Sequence, residues 1–238
     1  IGTNLGINIC NPGKQKFFTY GLHKNSKDSI PEITASDFVQ TKDGNVYVGY
    51  YFVNGGIVCL DSNLNFKHHY LFKENGSLNT IINQVWNLFL DDKGIIWAPN
   101  QRNTILQLNT ATGQLDQLKD TVLRGPLNVI KQDSAKDIWI GHWNKGLFKI
   151  DHQTKKISCY RSFIHPELSS IQKVYCLFFD NEKIWVGTIQ NGLQVFDKKQ
   201  EIFKEAFVTD ERNTEAISSN TILDIIAYNT DTLIIATE

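Results

Sequence analysis

The chain has 238 residues, 41% of them hydrophobic, enough for a sizeable core of ordinary domain size. Its 24 basic and 25 acidic residues leave a formal net charge of −1 without any basic block, which argues against a nucleic-acid partner. No apolar run approaches the roughly 20 residues of a membrane helix and no signal peptide is visible; the lack of Met and the opening on "IGT" lead us to expect an excised or processed piece.

In chain order, one phrase keeps returning. It opens as "IGTNLGINICN", then reads "VYVGYYFVNGGIVCLD" (46–61), "IIWAPNQRNTILQLN" (95–109), "IWIGHWNKGLFKID" (138–151) and "IWVGTIQNGLQVFD" (184–197), and breaks off at "LIIATE". The aligned position runs Gly2, Gly49, Pro99, Gly141, Gly187 and Ala236, in steps of 42 to 50 residues. A second register is tighter. Gly6, Gly56, Thr104, Gly146 and Gly192 are each followed five residues on by Asn or Asp: Asn11, Asp61, Asn109, Asp151 and Asp197. A period of this length signals a repeat architecture.

Each repeat reads as four strands. An apolar run such as "VWNLFLD" (85–91) or "VYCLFFD" (174–180) comes first, then a polar turn, then the Trp-containing strand. A variable loop leads to the Gly-Leu strand, closed by an Asx turn. The fourth strand carries aromatics, such as Phe66 and Tyr70 or Phe203 and Phe207. Short β-branched and aromatic runs punctuated by Gly, Asn and Asp indicate strands and hairpins, and no convincing amphipathic helix is present. The expected fold is all-β, a β-propeller of four-stranded antiparallel blades. The repeats fall at about 1–29 (partial), 30–75, 76–122, 123–166, 167–210 and 211–238 (partial). The two partial ends either join into a fifth blade or belong to an open arc of a larger, seven-bladed ring. Both ends carry the same strand, which favours the arc.

"LSSIQKVYCLFFDNEKIWVGTIQNGLQVFD" (168–197) and, more faintly, "ISSNTILDIIAYNTDTLIIATE" (217–238) resemble the two-component regulator propeller repeat. Its pattern is roughly Leu-Ser-x-Asn-x-Val, an apolar strand ending in Asp, then Gly-x-Ile-Trp-Ile-Gly-Thr and Gly-Gly-Leu. The resemblance extends over essentially the whole chain and departs at Ala98-Pro99 and Tyr50-Tyr51. It implies a periplasmic sensor region of a hybrid two-component system, usually a seven-bladed propeller. An immunoglobulin-like domain, a membrane helix, a histidine kinase and often a DNA-binding regulator would follow elsewhere in the receptor. It further implies detection of oligosaccharides, control of glycan-utilisation genes and a homodimeric receptor.

The four cysteines, Cys10, Cys59, Cys159 and Cys176, form no C-x-x-C pair and are expected to be buried small hydrophobes too far apart for a disulfide. A periplasmic address would permit bridges, so the cysteines do not decide the compartment. The six histidines are scattered without ligand spacing, so no metal and no cofactor is expected. Trp97, Trp139 and Trp185 recur at one blade position and are expected, with Trp86, to be packing rather than site residues.

In such a blade the turns between first and second and between third and fourth strands share one face. The loops after the second strands and those between blades share the other. The first set is stereotyped turn chemistry. The second set contains side chains that no turn requires. Tyr50, Tyr51, Asn100, Gln101, Arg102, His142, Trp143, Asn144 and Gln190 are the candidate ligand-binding rim. Aromatic faces stack on sugar C–H surfaces, and amides and Arg satisfy hydroxyls and acidic groups. No catalytic residue is expected. A glycosidase needs two facing carboxylates, and the rim loops contain no Asp or Glu. A nucleophile elbow is absent. The leading expectation is a non-catalytic ligand-sensing propeller. The alternatives are a protein-interaction propeller and, less well supported, a propeller lyase, glycosidase or quinone-dependent dehydrogenase.

Overall fold

The computed structural model describes residues 2–3, 6–11, 16–20, 34–51, 55–78, 82–100, 104–162, 164–165 and 172–238, with backbone pairing alone up to residue 20. No helix forms among these residues, so none there is long and apolar enough to cross a membrane. The chain divides into two compact units, Ile1–Arg124 and Gly125–Glu238.

In the first unit, β1 (Gly2–Thr3), β2 (Gly6–Asn11) and β3 (Lys16–Tyr20) form a three-stranded antiparallel sheet. A four-stranded sheet follows: β4 (Ala35–Gln40), β5 (Val46–Tyr50), β6 (Gly56–Leu60) and β7 (Phe66–Tyr70), paired in that order. After the small hairpin β8 (Lys73–Glu74) and β9 (Ser77–Leu78) comes the next: β10 (Phe89–Leu90), β11 (Ile95–Pro99), β12 (Thr104–Asn109) and β13 (Leu115–Lys119).

The second unit repeats the plan. β14 (Leu127–Gln132), β15 (Ile138–His142), β16 (Gly146–Ile150) and β17 (Ile157–Tyr160) form one four-stranded sheet. β18 (Lys173–Asp180), β19 (Lys183–Ile189), β20 (Leu193–Asp197) and β21 (Ile202–Phe207) form another. β22 (Ile222–Asn229) and β23 (Thr232–Thr237) make a closing pair. These sheets are blades of the β-propeller type, counted here from the N-terminus as first to sixth.

The recurring glycines have two separate causes. Gly49, Gly141 and Gly187 sit where the second strand touches the first strand of the following blade. A Cβ on Gly141 would lie 2.5 Å from Val129 and 2.6 Å from Val174, and one on Gly49 would lie 2.7 Å from Val85. No side chain fits there, so blades stack backbone against side chain. Gly56, Gly146 and Gly192 open the third strands at φ +65°, +94° and +71°, where a Cβ would also strike the carbonyls of Tyr70, Tyr160 and Phe207. The third blade departs from both rules. Thr104 opens its third strand and donates its hydroxyl to Leu118 O at 2.9 Å. Pro99 stands at the contact glycine and has no N–H to donate. The first strand of that blade shrinks to Phe89–Leu90 and a single bridge between Val85 and Asn100.

Apolar alternation then builds cores between successive blades. In the first unit Tyr47, Ile57 and Cys59 of the second blade pack with Val85, Leu88, Ile96 and Leu106 of the third. In the second unit Val129, Trp139 and Leu147 pack with Leu177, Ile184 and Phe196. Two of the repeated tryptophans are anchored, Trp139 in a buried site and Trp97 in a partly buried one. Trp97 donates Nε1–H to Asp91 at 2.9 Å, and Trp139 donates to Asp133 at 3.0 Å, in each case to the residue six positions earlier. The turn of the fifth blade is one residue shorter, placing Asp180 five before Trp185, and the Trp185 Nε1–H finds no acceptor.

Neighbouring blades are also clamped by a carboxamide just before the first strand. Asn83 takes the Phe72 N–H at 2.7 Å and donates to Phe72 O at 3.0 Å. Gln172 takes the Ser162 N–H at 2.7 Å and donates to Ser162 O. Asn220 takes the Thr209 N–H at 2.8 Å. The backbone carbonyls of the same three residues accept the N–H of Gly56, Gly146 and Gly192. The Asn of the repeat pattern therefore closes backbone groups that no sheet would satisfy.

Among the described cysteines, Cys59 and Cys176 are buried free thiols, as small apolar residues should be. Cys159 corrects the expectation of burial: it is an exposed free thiol on the outermost strand β17, with Sγ 3.5 Å from Lys145 O. A fourth strand has no further strand to cover its outer face.

Candidate functional site

The rim is built where the second strands end. The final residue of each points inward by strand alternation. Tyr50 and Asn100 are 0% exposed and His142 is 1% exposed, so these three lie in strand-end packing rather than on the rim surface. The Tyr50 hydroxyl has no hydrogen-bond partner, and burial pushes its pKa up. Asn100 donates Nδ2–H to Ile82 O at 2.9 Å, tying the strand end to the start of its own blade. His142 accepts the Asn144 N–H on Nδ1 at 2.9 Å, which fixes Nδ1 as the unprotonated nitrogen of that contact. A Cβ on Gly125 would meet the His142 ring at 2.5 Å, so glycine at φ +125° makes room for the imidazole.

The next residue along turns outward. Tyr51 and Trp143 are partly exposed, Asn144 is exposed, and Gln190 is exposed at φ +75° in a tight loop held by Thr188, whose hydroxyl donates to Gly192 O at 2.7 Å. Gln101 and Arg102 lie outside the described residues.

Sequence reading missed the partner of Tyr51. The first strands carry a bulge between Ala35 and Asp37, Leu127 and Val129, Val174 and Cys176, and Ile222 and Asp224. The extra residue of a bulge leaves the ladder and aims its side chain elsewhere. Three residues on from a clamp residue stand Tyr175 after Gln172 and Leu223 after Asn220, both on such bulges, and Trp86 stands at the same spacing after Asn83. In the first unit Trp86 meets Tyr51 with ring centroids 4.1 Å apart, tilted by 53°. In the second unit the equivalent positions are Trp143 and Tyr175, and Tyr175 is 36% exposed. Trp86 is thus partly buried against Tyr51, and its buried Nε1–H lacks an acceptor. The available sequence signal was this fixed spacing.

Charge separates the two steps. Beside Trp143, Lys173 places Nζ 5.9 Å from the ring centroid. Lys145 forms a bridge with Gln172, and Arg161 donates Nε–H to Lys145 O at 3.3 Å. The same two cations act on the Cys159 thiol, but burial dominates and holds its pKa up. The segments 141–146, 159–162, 164–165 and 172–175 contain three cations and no carboxylate. Among the described residues no group of three His, Cys, Asp or Glu could hold a metal ion.

The sequence matches no protein-family model and no curated protein. Solved structures match it. The protein described as the extracellular domain of hybrid two-component system BT3049 from B. thetaiotaomicron superposes with a TM-score of 0.77 at 19% identity, over 98% of this chain and 30% of its own. That of BT4673 from the same organism gives 0.73 at 16% identity, over 99% and 30%. Virginiamycin B lyase from Staphylococcus aureus gives 0.62 at 14% identity, over 85% and 63%. This chain spans about 30% of the length of the two-component proteins it is similar to. At such identities the likeness is one of fold, shared by extracellular regions of two-component systems and by a lyase.

Proposed function

We propose that the chain is part of the ligand-sensing, extracytoplasmic region of a hybrid two-component receptor, built of two-component regulator propeller repeats and responding to oligosaccharides in the periplasm. The observation that carries this reading is the likeness over nearly the whole chain to extracellular domains of two such systems. The aromatic steps add local support, because Tyr51 with Trp86 offers a tilted pair of rings at a strand end held by rigid sheets.

The mechanism is thermodynamic. A sugar that binds one receptor arrangement better than another shifts the balance between them by that difference in affinity. These blades supply surface and rigid spacing. A histidine kinase elsewhere in the receptor would carry the chemistry, and adjoining blades, an immunoglobulin-like domain and a second receptor copy would be the partners. The lyase likeness is of fold, and we assign no catalytic residue or cofactor.

A second reading, a propeller that grips another polypeptide, is favoured by one observation. Ile226, Tyr228 and Ile234 on β22 and β23 are 53%, 72% and 49% exposed, on a two-stranded sheet whose repeat is expected to be partial, so that a further strand or another polypeptide would cover them.

The test is thermal-shift screening of the 238-residue chain against defined neutral and acidic oligosaccharides, with Tyr51→Ala, Trp86→Ala and Trp143→Ala alongside. A binding sugar at a hundredfold excess over its Kd should raise Tm by about 5 to 10 °C, and at least one variant should lose the rise. No shift with any sugar, in a preparation that melts cooperatively, would leave these blades as scaffold and favour the protein-contact reading.

A further inference from the structure

We propose that Asn75 is a site of spontaneous covalent modification, converting through a cyclic succinimide to aspartyl and isoaspartyl forms with water as the only co-reactant, while the same dipeptide at Asn191 is held inert by the fold. The inference goes beyond the sensor reading and does not depend on what the propeller binds. Asn-Gly occurs three times, at Asn54, Asn75 and Asn191, and Asn54 lies outside the described residues. In such a pair the glycine nitrogen, once it has lost its proton, attacks the asparagine Cγ, and no Cβ shields it. The N–Cγ bond forms, the Cγ–Nδ2 bond breaks, and Nδ2 leaves as ammonia with a proton from water. Water then opens the five-membered ring. Addition at Cγ gives an aspartyl side chain, and addition at the backbone carbonyl gives an isoaspartyl link one methylene longer.

The fold treats the two described pairs oppositely. Asn75 and Gly76 are the loop of the hairpin β8–β9, whose rungs pair Lys73 with Leu78 and Glu74 with Ser77. Both loop residues are exposed, at φ +50° and +79°, the two left-handed positions of a type I′ turn. A Cβ on Gly76 would meet nothing within 4 Å, so no neighbouring segment crowds it. The turn must rotate to bring the Gly76 nitrogen onto Cγ. A hairpin of two rungs is marginal in water and opens at low cost. The ion pair of Lys119 with Glu74, at 2.7 Å, is solvent-exposed and adds little restraint. Asn191-Gly192 instead opens a third strand. Asn191 is 2% exposed, and its N–H donates to Thr188 Oγ1 at 3.1 Å. The attacking nitrogen is itself engaged, since the Gly192 N–H donates to Asn220 O at 2.9 Å. Freeing that nitrogen means parting the fifth blade from the residue that leads into β22.

The test is incubation of the full chain at 37 °C, folded and in urea, at pH 6.5 and 8.5. Digestion at low pH and mass spectrometry then locate each amide-to-acid conversion and separate aspartyl from isoaspartyl products. In the folded chain Asn75 should convert about a hundredfold faster than Asn191, because the two differ in the cost of local opening. The Asn75 rate should rise with pH, since the attacking nitrogen must first lose its proton. In urea the two pairs should convert at similar rates, which assigns the native difference to the fold and not to the flanking residues. Equal rates at Asn75 and Asn191 in the folded chain would overturn the proposal. So would an Asn75 that stays intact in the folded chain while it converts in urea.

Discussion

The joint between the second and third blades and the joint between the fourth and fifth are built on the same backbone and speak opposite chemistry. Each places a glycine against the next blade, each is closed by a carboxamide clamp, and each carries an aromatic residue three positions after that clamp. In the first unit the tie between blades is an acid. Asp37 accepts from Asn87 Nδ2 at 2.6 Å and from the Leu88 N–H at 2.9 Å. In the second unit the tie is a donor set. Asn128 donates to Tyr175 O at 3.1 Å and Lys131 to Leu177 O at 2.8 Å. Positions that touch the neighbouring backbone keep one solution, because sterics allows only one. Positions that face solvent or the joint are free to differ, and there the two units have diverged in sign of charge.

The largest expected contrast concerns the two Asp-Trp pairs, one buried and one partly buried. Asp133 receives Trp139, the Asp137 N–H and Lys198 at 3.4 Å in a nearly dry site. Asp133→Ala should cost about 3 kcal/mol, since it strands a mostly buried ammonium and a buried indole N–H. Asp91→Ala, in a half-exposed site without a lysine, should cost about 1 kcal/mol. Urea unfolding of the two variants checks the order, and equal losses would remove the claim that the second unit's pair is the drier one. Next comes the contact glycine, where the joints should agree. Gly141→Ala and Gly49→Ala should each cost about 2 kcal/mol by overpacking, measured the same way.

A smaller effect separates the units by pH. Burial pushes His69 below the ordinary imidazole value of 6.5, although its bond to Gly55 O at 2.6 Å opposes this. The folded chain therefore holds His69 neutral while the unfolded chain protonates it first. The stability it contributes is complete above pH 6.5 and falls as pH drops from there through the lowered value. Melting at pH 7.5 and 5.5 should show an acid-induced decrease that shrinks in His69→Gln; an unchanged decrease would assign the effect elsewhere. The smallest effect belongs to Cys159. Cys159→Ser should change stability by less than about 0.5 kcal/mol, and thiol trapping read by mass spectrometry should label Cys159 in the native chain well before Cys59 and Cys176.

The periodic phrase made the blades legible, because a strand that must turn, pack and turn again demands Gly, Trp and Asp at fixed places. The candidate site was only partly legible. Tyr51, Trp143, Asn144 and Gln190 stand where loop chemistry put them, exposed or half-exposed. Tyr50, Asn100 and His142 looked like loop residues, but the last pleat of each strand turns them inward. Trp86 looked like core because it is a tryptophan among apolar residues, yet its ring packs against Tyr51 at the strand end.

By itself the sequence determined the repeat length, the strand order within each blade and the polar turns, since each depends on local backbone preference and alternation. Only the tertiary structure decided which blade meets which glycine, which carboxamide closes which neighbour, and which aromatic residues and cations share a rim. Those pairings join residues from 10 to 36 positions apart, and a one-residue bulge, invisible to alternation, decides on which side of the sheet a side chain arrives.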